Sequence, residues 1–198
     1  ECYENGYGVE KDPDKAVEVK DMLDLDKWAV AAFNDLVKAV RAGYDAYEFH
    51  TVYRAIYNFC VVEMSNFYLD IIKDRLYCGD DAGRASARSA LYLILDGMTR
   101  MLAPILAFTS QEIWTAMPHK AGDDAECVLF NDIPDYDPAL ALDGAETARW
   151  SKLLEARDVV LKALEEARDQ GIKKNQDAEI ALTLSDELGF DAAELATL

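Results

Sequence analysis

Tyr47–Cys78, YEFHTVYRAIYNFCVVEMSNFYLDIIKDRLYC, holds no glycine and no proline, so nothing in it breaks a helix. As one helix it would span about 45 Å, at about 1.5 Å of rise per residue. Phe49, Val52, Ile56 and Phe59 recur at helical spacing as one apolar row, and Tyr53, Tyr57, Cys60, Met64, Phe67 and Ile71 form a second. Two such rows cover more than a narrow stripe, which predicts a central helix buried against several neighbours. A polar line through Arg54, Asn58, Ser65, Asn66, Asp70 and Lys73 is its one wet edge.

The flanks extend the helical pattern. Before this stretch, Leu25, Trp28, Ala32, Leu36 and Val40 recur every three to four residues, predicting a helix capped by Asp24 or Asp26. Gly43 weakens it locally, and the short link to Tyr47 makes a helical hairpin. After Cys78, Gly79–Gly83 is a break with a cap at Asp80 or Asp81. The next helix carries Ala87 to Leu102, with a kink or restart at Pro104. A last segment with Ile113 and Trp114 is capped at Thr109, three residues before Glu112, and ends at Pro118. From His119 to Gly144 the pattern reads as loop, with a short strand at Cys127–Phe130. A further amphipathic helix covers Glu146–Asp169, using Trp150, Leu153, Leu154, Val159, Leu161 and Leu164, and Glu179–Leu184 reads as a short strand. The expected fold is all-α: an antiparallel helical bundle of four to five long helices with a small α/β C-terminal appendage. Residues 1–20 form a lead-in, 21–120 the bundle, and 121–198 an acidic loop, a packing helix and the appendage.

Composition excludes several classes. The 198 residues are 51% hydrophobic and 10% aromatic, enough for a real core. No apolar run approaches the roughly 20 residues of a membrane span. A net charge of −18 opposes indiscriminate binding to nucleic acid or anionic lipid, while allowing a specific contact through a local basic cluster. Cys2, Cys60, Cys78 and Cys127 form no C-x-x-C pair, and they read as buried or incidental thiols of a reducing cytoplasm. The start, ECYENGYG, is not a signal peptide and suggests a piece of a longer chain. No phosphate-binding glycine loop, G-x-S-x-G or H-E-x-x-H is present. His50 and His119, the two histidines, have no partner at metal-ligand spacing. The residues therefore show no catalytic site and no metal site, and describe a helical binding or scaffolding domain.

Four blocks carry a specific resemblance: LDLDKWAV (Leu23–Val30), AYEFHTVYRAIYNFC (Ala46–Cys60), FYLDIIKDRLYC (Phe67–Cys78) and MLAPILAFTSQEIW (Met101–Trp114). In this order and spacing the chain resembles the anticodon-binding helical domain of the isoleucyl-tRNA synthetase family, across roughly residues 22–118. The resemblance implies a parent aminoacyl-tRNA synthetase, a cytoplasmic ligase that joins isoleucine to its tRNA using ATP with Mg and carries zinc outside this region. The family's HIGH and KMSKS signatures are absent from this chain. It implies for this piece no cofactor and no activity alone, with the isoleucine tRNA, and the catalytic and editing domains of the parent chain, as partners and no membrane. Valyl- and leucyl-type domains and a helical protein–protein interaction module are the alternatives.

Holding a single-stranded RNA loop takes cations that position phosphates and groups that meet splayed bases. The candidate tRNA-binding cations are Lys73, Arg75, Arg84 and Arg88, which a hairpin would gather on one rim; pairing with Asp70, Asp74 and Asp81 is their other reading. Asn66 and Arg54 are candidate base readers or solvent-facing residues, and Lys173 and Lys174 are candidate phosphate contacts or solubilising charges.

Overall fold

The structure, a computed structural model, describes residues 16–169. Helices follow one another as α1 (Asp24–Asp45), α2 (Phe49–Asn58), a π-helical stretch (Phe59–Tyr68), α3 (Leu69–Cys78), α4 (Asp81–Leu102), α5 (Ala107–Ala116) and α6 (Gly144–Asp169). Short 3-10 turns lie at Val19–Asp21, Val128–Phe130 and Pro138–Leu140. No strand occurs among the described residues, so the all-α reading stands. The chain divides into two compact units, Glu1–Ala141 and Leu142–Leu198.

In the first unit the enclosed helix is α1, not the Tyr47–Cys78 stretch. Trp28, Ala29, Val30, Ala31, Phe33, Leu36, Val37 and Val40 are all buried, on every side of α1. It packs against α2, the π-helical stretch and α4. Tyr44 Oη donates to the Met101 carbonyl at 2.7 Å, and the Leu23 N–H donates to Ser86 Oγ at 2.9 Å. α1 and α4 therefore run parallel, with the Phe49–Cys78 run returning antiparallel between their ends. At Gly43 an added Cβ would lie 2.7 Å from a Val52 methyl; the glycine that weakens α1 also lets α2 come close. The hairpin turns at Tyr47, the one described non-glycine residue with positive φ (57°).

The Phe49–Cys78 run is helical throughout but is a covering element. Its buried residues are Val52, Ile56, Phe59, Met64, Phe67, Tyr68 and Ile72. The step of five from Phe59 to Met64 matches the wider π turn, which shifts the buried face off the row extrapolated from Tyr53. Val52, Ile56 and Phe59 of the first expected row are buried, with Phe49 at its end exposed, whereas Tyr53, Tyr57 and Cys60 of the second row fall off the buried face and are exposed.

Three further expectations are corrected. Leu23, not an aspartate, sits at the start of α1, because Asp26 is drawn inward. Thr109 lies inside α5, which starts at Ala107 directly after the Pro104 break. Cys127–Phe130 is not a strand: Asp124 Oδ1 accepts from the Glu126 and Cys127 N–H groups and curls the chain into a 3-10 turn. The other loop aspartates are used similarly. Asp137 and Asn34 exchange two backbone–side-chain hydrogen bonds of 2.9 and 2.7 Å, and Arg41 reaches the Ile133 and Pro134 carbonyls and Asp135. The loop is thereby fastened to α1.

In the second unit α6 opens on a capping box. Asp143 Oδ1 accepts from the Ala145 and Glu146 N–H groups, while Glu146 accepts from the Asp143 N–H. Trp150 and Leu153 are buried, whereas Val159 and Leu161 of the expected apolar face are exposed. The proposed strand Glu179–Leu184, and with it the α/β appendage, lies outside the described residues.

Candidate nucleic-acid interface

The four rim cations come from α3 and α4, which pack together next to the N-terminus of α1. Their roles diverge. Asp26 is fully buried and accepts hydrogen bonds from Tyr68 Oη at 2.7 Å, from Ser86 Oγ and from the Arg75 guanidinium. Arg75 is thus drawn inward to a charge on α1, a partner 49 positions away rather than an aspartate of its own helix. Its stem passes α4 where Gly83 has no side chain; a Cβ there would stand 3.2 Å from Arg75 Cδ. Burial pushes the Tyr68 phenol up, and the Asp26 charge and hydrogen bond add to this, against Arg75. Arg84 donates to the Gly79 carbonyl at 2.6 Å and approaches Asp81 at 3.4 Å, closing the α3–α4 turn.

Lys73 and Arg88 are placed differently. Lys73 pairs with Asp70 at 2.7 Å with both side chains well exposed, a solvent-screened contact readily exchanged for another anion. The Asp70 bond raises the Lys73 pKa, with the Asp70 charge next in weight. Arg88 is half-buried on α4. One element pair thus brings the four cations to one end of the unit; Arg75, Arg84 and Lys73 hold internal bonds, and of these only the Lys73 pair is well exposed on both sides.

Arg54 and Asn66 are both exposed on the Phe49–Cys78 run, Arg54 in α2 and Asn66 in the π-helical stretch. Around Arg54 lies a surface that hydrophobic patterning had assigned to the core. Tyr53 is 63% and Tyr57 54% exposed, with ring centroids 5.9 Å apart and planes tilted by 31°. Phe49 is exposed as well, its ring edge-on to Tyr44 at 6.0 Å. The signal available in the sequence was the four-residue spacing Phe49–Tyr53–Tyr57 beside the stricter aliphatic row of Val52 and Ile56.

A second charged cluster is structural. Asp96 and Asp123 flank Arg100, each at 2.9 Å, and Lys120 meets Asp96 at 2.8 Å. Arg100 also lies over the ring of Trp114, which is wholly buried and donates to the Asp124 carbonyl. Burial pushes the Asp123 carboxyl up, but its bonds to Arg100 and the Lys120 N–H outweigh this and hold it below the usual value. Among the described residues no group of three or more His, Cys, Asp or Glu is placed to hold a metal ion, and no helix is long and apolar enough to cross a membrane. Lys173 and Lys174 lie outside the described residues.

Comparisons with known proteins bear on the family of the chain. The isoleucine–tRNA ligase of Syntrophotalea carbinolica is 45% identical over 164 residues, covering 81% of this chain and 17% of the relative. That of Coxiella burnetii (strain CbuG_Q212) is 43% identical over 197 residues, covering 98% of this chain and 20% of the relative. The Halorhodospira halophila ligase is 42% identical over 196 residues, covering 96% and 20%. The chain therefore spans about a fifth of the length of these relatives. A family profile described as the anticodon-binding domain of tRNA ligase matches residues 26–182, most of the chain, and the chain belongs to that family.

Proposed function

We propose that this chain holds the anticodon stem-loop of an isoleucine tRNA for a longer ligase that joins isoleucine to that tRNA. The family match over residues 26–182 carries the reading, and the relatives named isoleucine–tRNA ligase supply the amino acid. The bundle, residues 21–120, is the part we assign to RNA. Lys73 and Arg88 are the phosphate contacts, with Arg54 and Asn66 nearer the loop. Arg75 and Arg84 act as positioning residues, since their hydrogen bonds to Asp26 and Gly79 fix the α3–α4 turn that presents the other two. ATP, Mg and zinc, together with the catalytic and editing steps, belong to the remainder of the parent chain, which we place in the cytoplasm.

Binding of a fluorescent hairpin RNA bearing an isoleucine anticodon tests this. The hairpin binds, and the same stem with an unrelated anticodon binds more weakly. Lys73→Glu with Arg88→Glu weakens both while leaving the melting temperature nearly unchanged. Equal affinity for the two anticodons overturns the assignment.

A further inference from the structure

We propose that the outward face of α2, Phe49, Tyr53 and Tyr57 with Arg54 beside them, is a stacking platform for the unpaired bases of the RNA loop. The inference rests on the function proposed above and places base contact on a different element from the α3–α4 cations. Three aromatic rings at four-residue spacing stand exposed along one face of α2, a contiguous patch of the kind that marks an interaction site. Tyr53 and Tyr57 are already in ring–ring contact and form one continuous π surface. Phe49 packs edge-on against Tyr44, whose hydroxyl is itself bonded to the Met101 carbonyl, so the first ring of the platform is braced by the bundle.

Charge selects the occupant. The chain carries −18 overall, yet from Phe49 to Val62 the only formally charged residue is Arg54. No ion pair engages Arg54 among the described residues, which leaves its guanidinium for a phosphate or the face of a base. Aromatic faces that accept any base by stacking, interleaved with a cation and with the hydrogen-bonding side chains of His50 and Asn58, suit a single-stranded RNA loop.

The test is an equilibrium titration of this chain with the isoleucine-anticodon hairpin and with the same hairpin made abasic in its loop. Tyr53→Ala with Tyr57→Ala lowers affinity for the intact hairpin by about ten-fold or more. Tyr53→Phe with Tyr57→Phe, which keeps the rings, binds as the unaltered chain does. On the abasic hairpin the alanine pair and the unaltered chain bind alike. Circular dichroism of the alanine pair matches that of the unaltered chain, since both side chains are exposed. Undiminished affinity of the alanine pair for the intact hairpin overturns the platform and leaves the proposed function standing. An equal loss on the abasic hairpin overturns base stacking. Failure of the unaltered chain to bind any hairpin overturns the proposed function and the platform together.

Discussion

Asp26→Ala leaves the Arg75 guanidinium without its buried counter-charge, and strips Tyr68 and Ser86 of their acceptor. Breaking such a pair from one side costs about 3–5 kcal/mol, so the urea midpoint of the helical unit should fall sharply. A change of a few tenths of a kcal/mol would mean that the hub contributes little. Glu63 gives the opposite lesson. Its Oε2 is buried and has no hydrogen-bond partner, and burial raises its carboxyl above the ordinary value. The native state then holds that proton more tightly than the unfolded chain does. Its contribution is complete below the ordinary carboxylate pKa of about 4.3 and is lost as pH rises through the raised native value. Glu63→Gln should therefore raise the melting temperature at neutral pH and flatten its decline above pH 4, as thermal melts across that range will show.

At the level of elements, the start of α4 joins two constraints in one turn. Asp80 Oδ1 accepts from the Gly83 N–H at 2.7 Å, and Asp80→Ala should cost about 1 kcal/mol as a lost cap. Gly83→Ala ordinarily gains up to about 1 kcal/mol in a helix. Here the new Cβ would meet Asp80 Oδ1 at 2.8 Å and the Arg75 stem at 3.2 Å. Arg75 has little freedom to move aside, because Asp26 holds its head group. Gly83→Ala should accordingly lower the melting temperature, where most helix glycines would raise it. The Asp80 cap was legible in the sequence, since an aspartate after a glycine and before an apolar-periodic run has few other uses. The π-helical stretch was not. Its wider turn is set by how Phe59, Met64, Phe67 and Tyr68 meet α1, a tertiary demand that an ideal 3.6-residue period does not encode. Extrapolating that period carried Tyr53 and Tyr57 into the core.

For the protein as a whole, helical class, the hairpin and the order of the long helices could be read from glycine and proline positions and from apolar spacing. Which helix would be enclosed could not, because both α1 and the Phe49–Cys78 run are apolar enough. The decision came from Ala29, Ala31 and Gly43, small residues that admit neighbours to α1 from several sides. The internal partners of the α3–α4 cations were not legible in the sequence, since that of Arg75 is 49 positions distant. An acidic chain engaging RNA through about two to four phosphates should show a log–log salt slope of only a few units. A slope near that of a broad basic groove would contradict so small a set of contacts.

The Asp26 hub joins α1, the π-helical stretch, α3 and α4 at one end of the first unit, while the Tyr47 turn and the Pro104 break lie at the other. Amide protons near Asp26 should then be the last to exchange with deuterium, and those around Ala46–Phe49 and Ala103–Leu106 the first. Such a gradient sets a clamped base against a looser tip, much as a tuning fork is still at its stem and moves at its prongs.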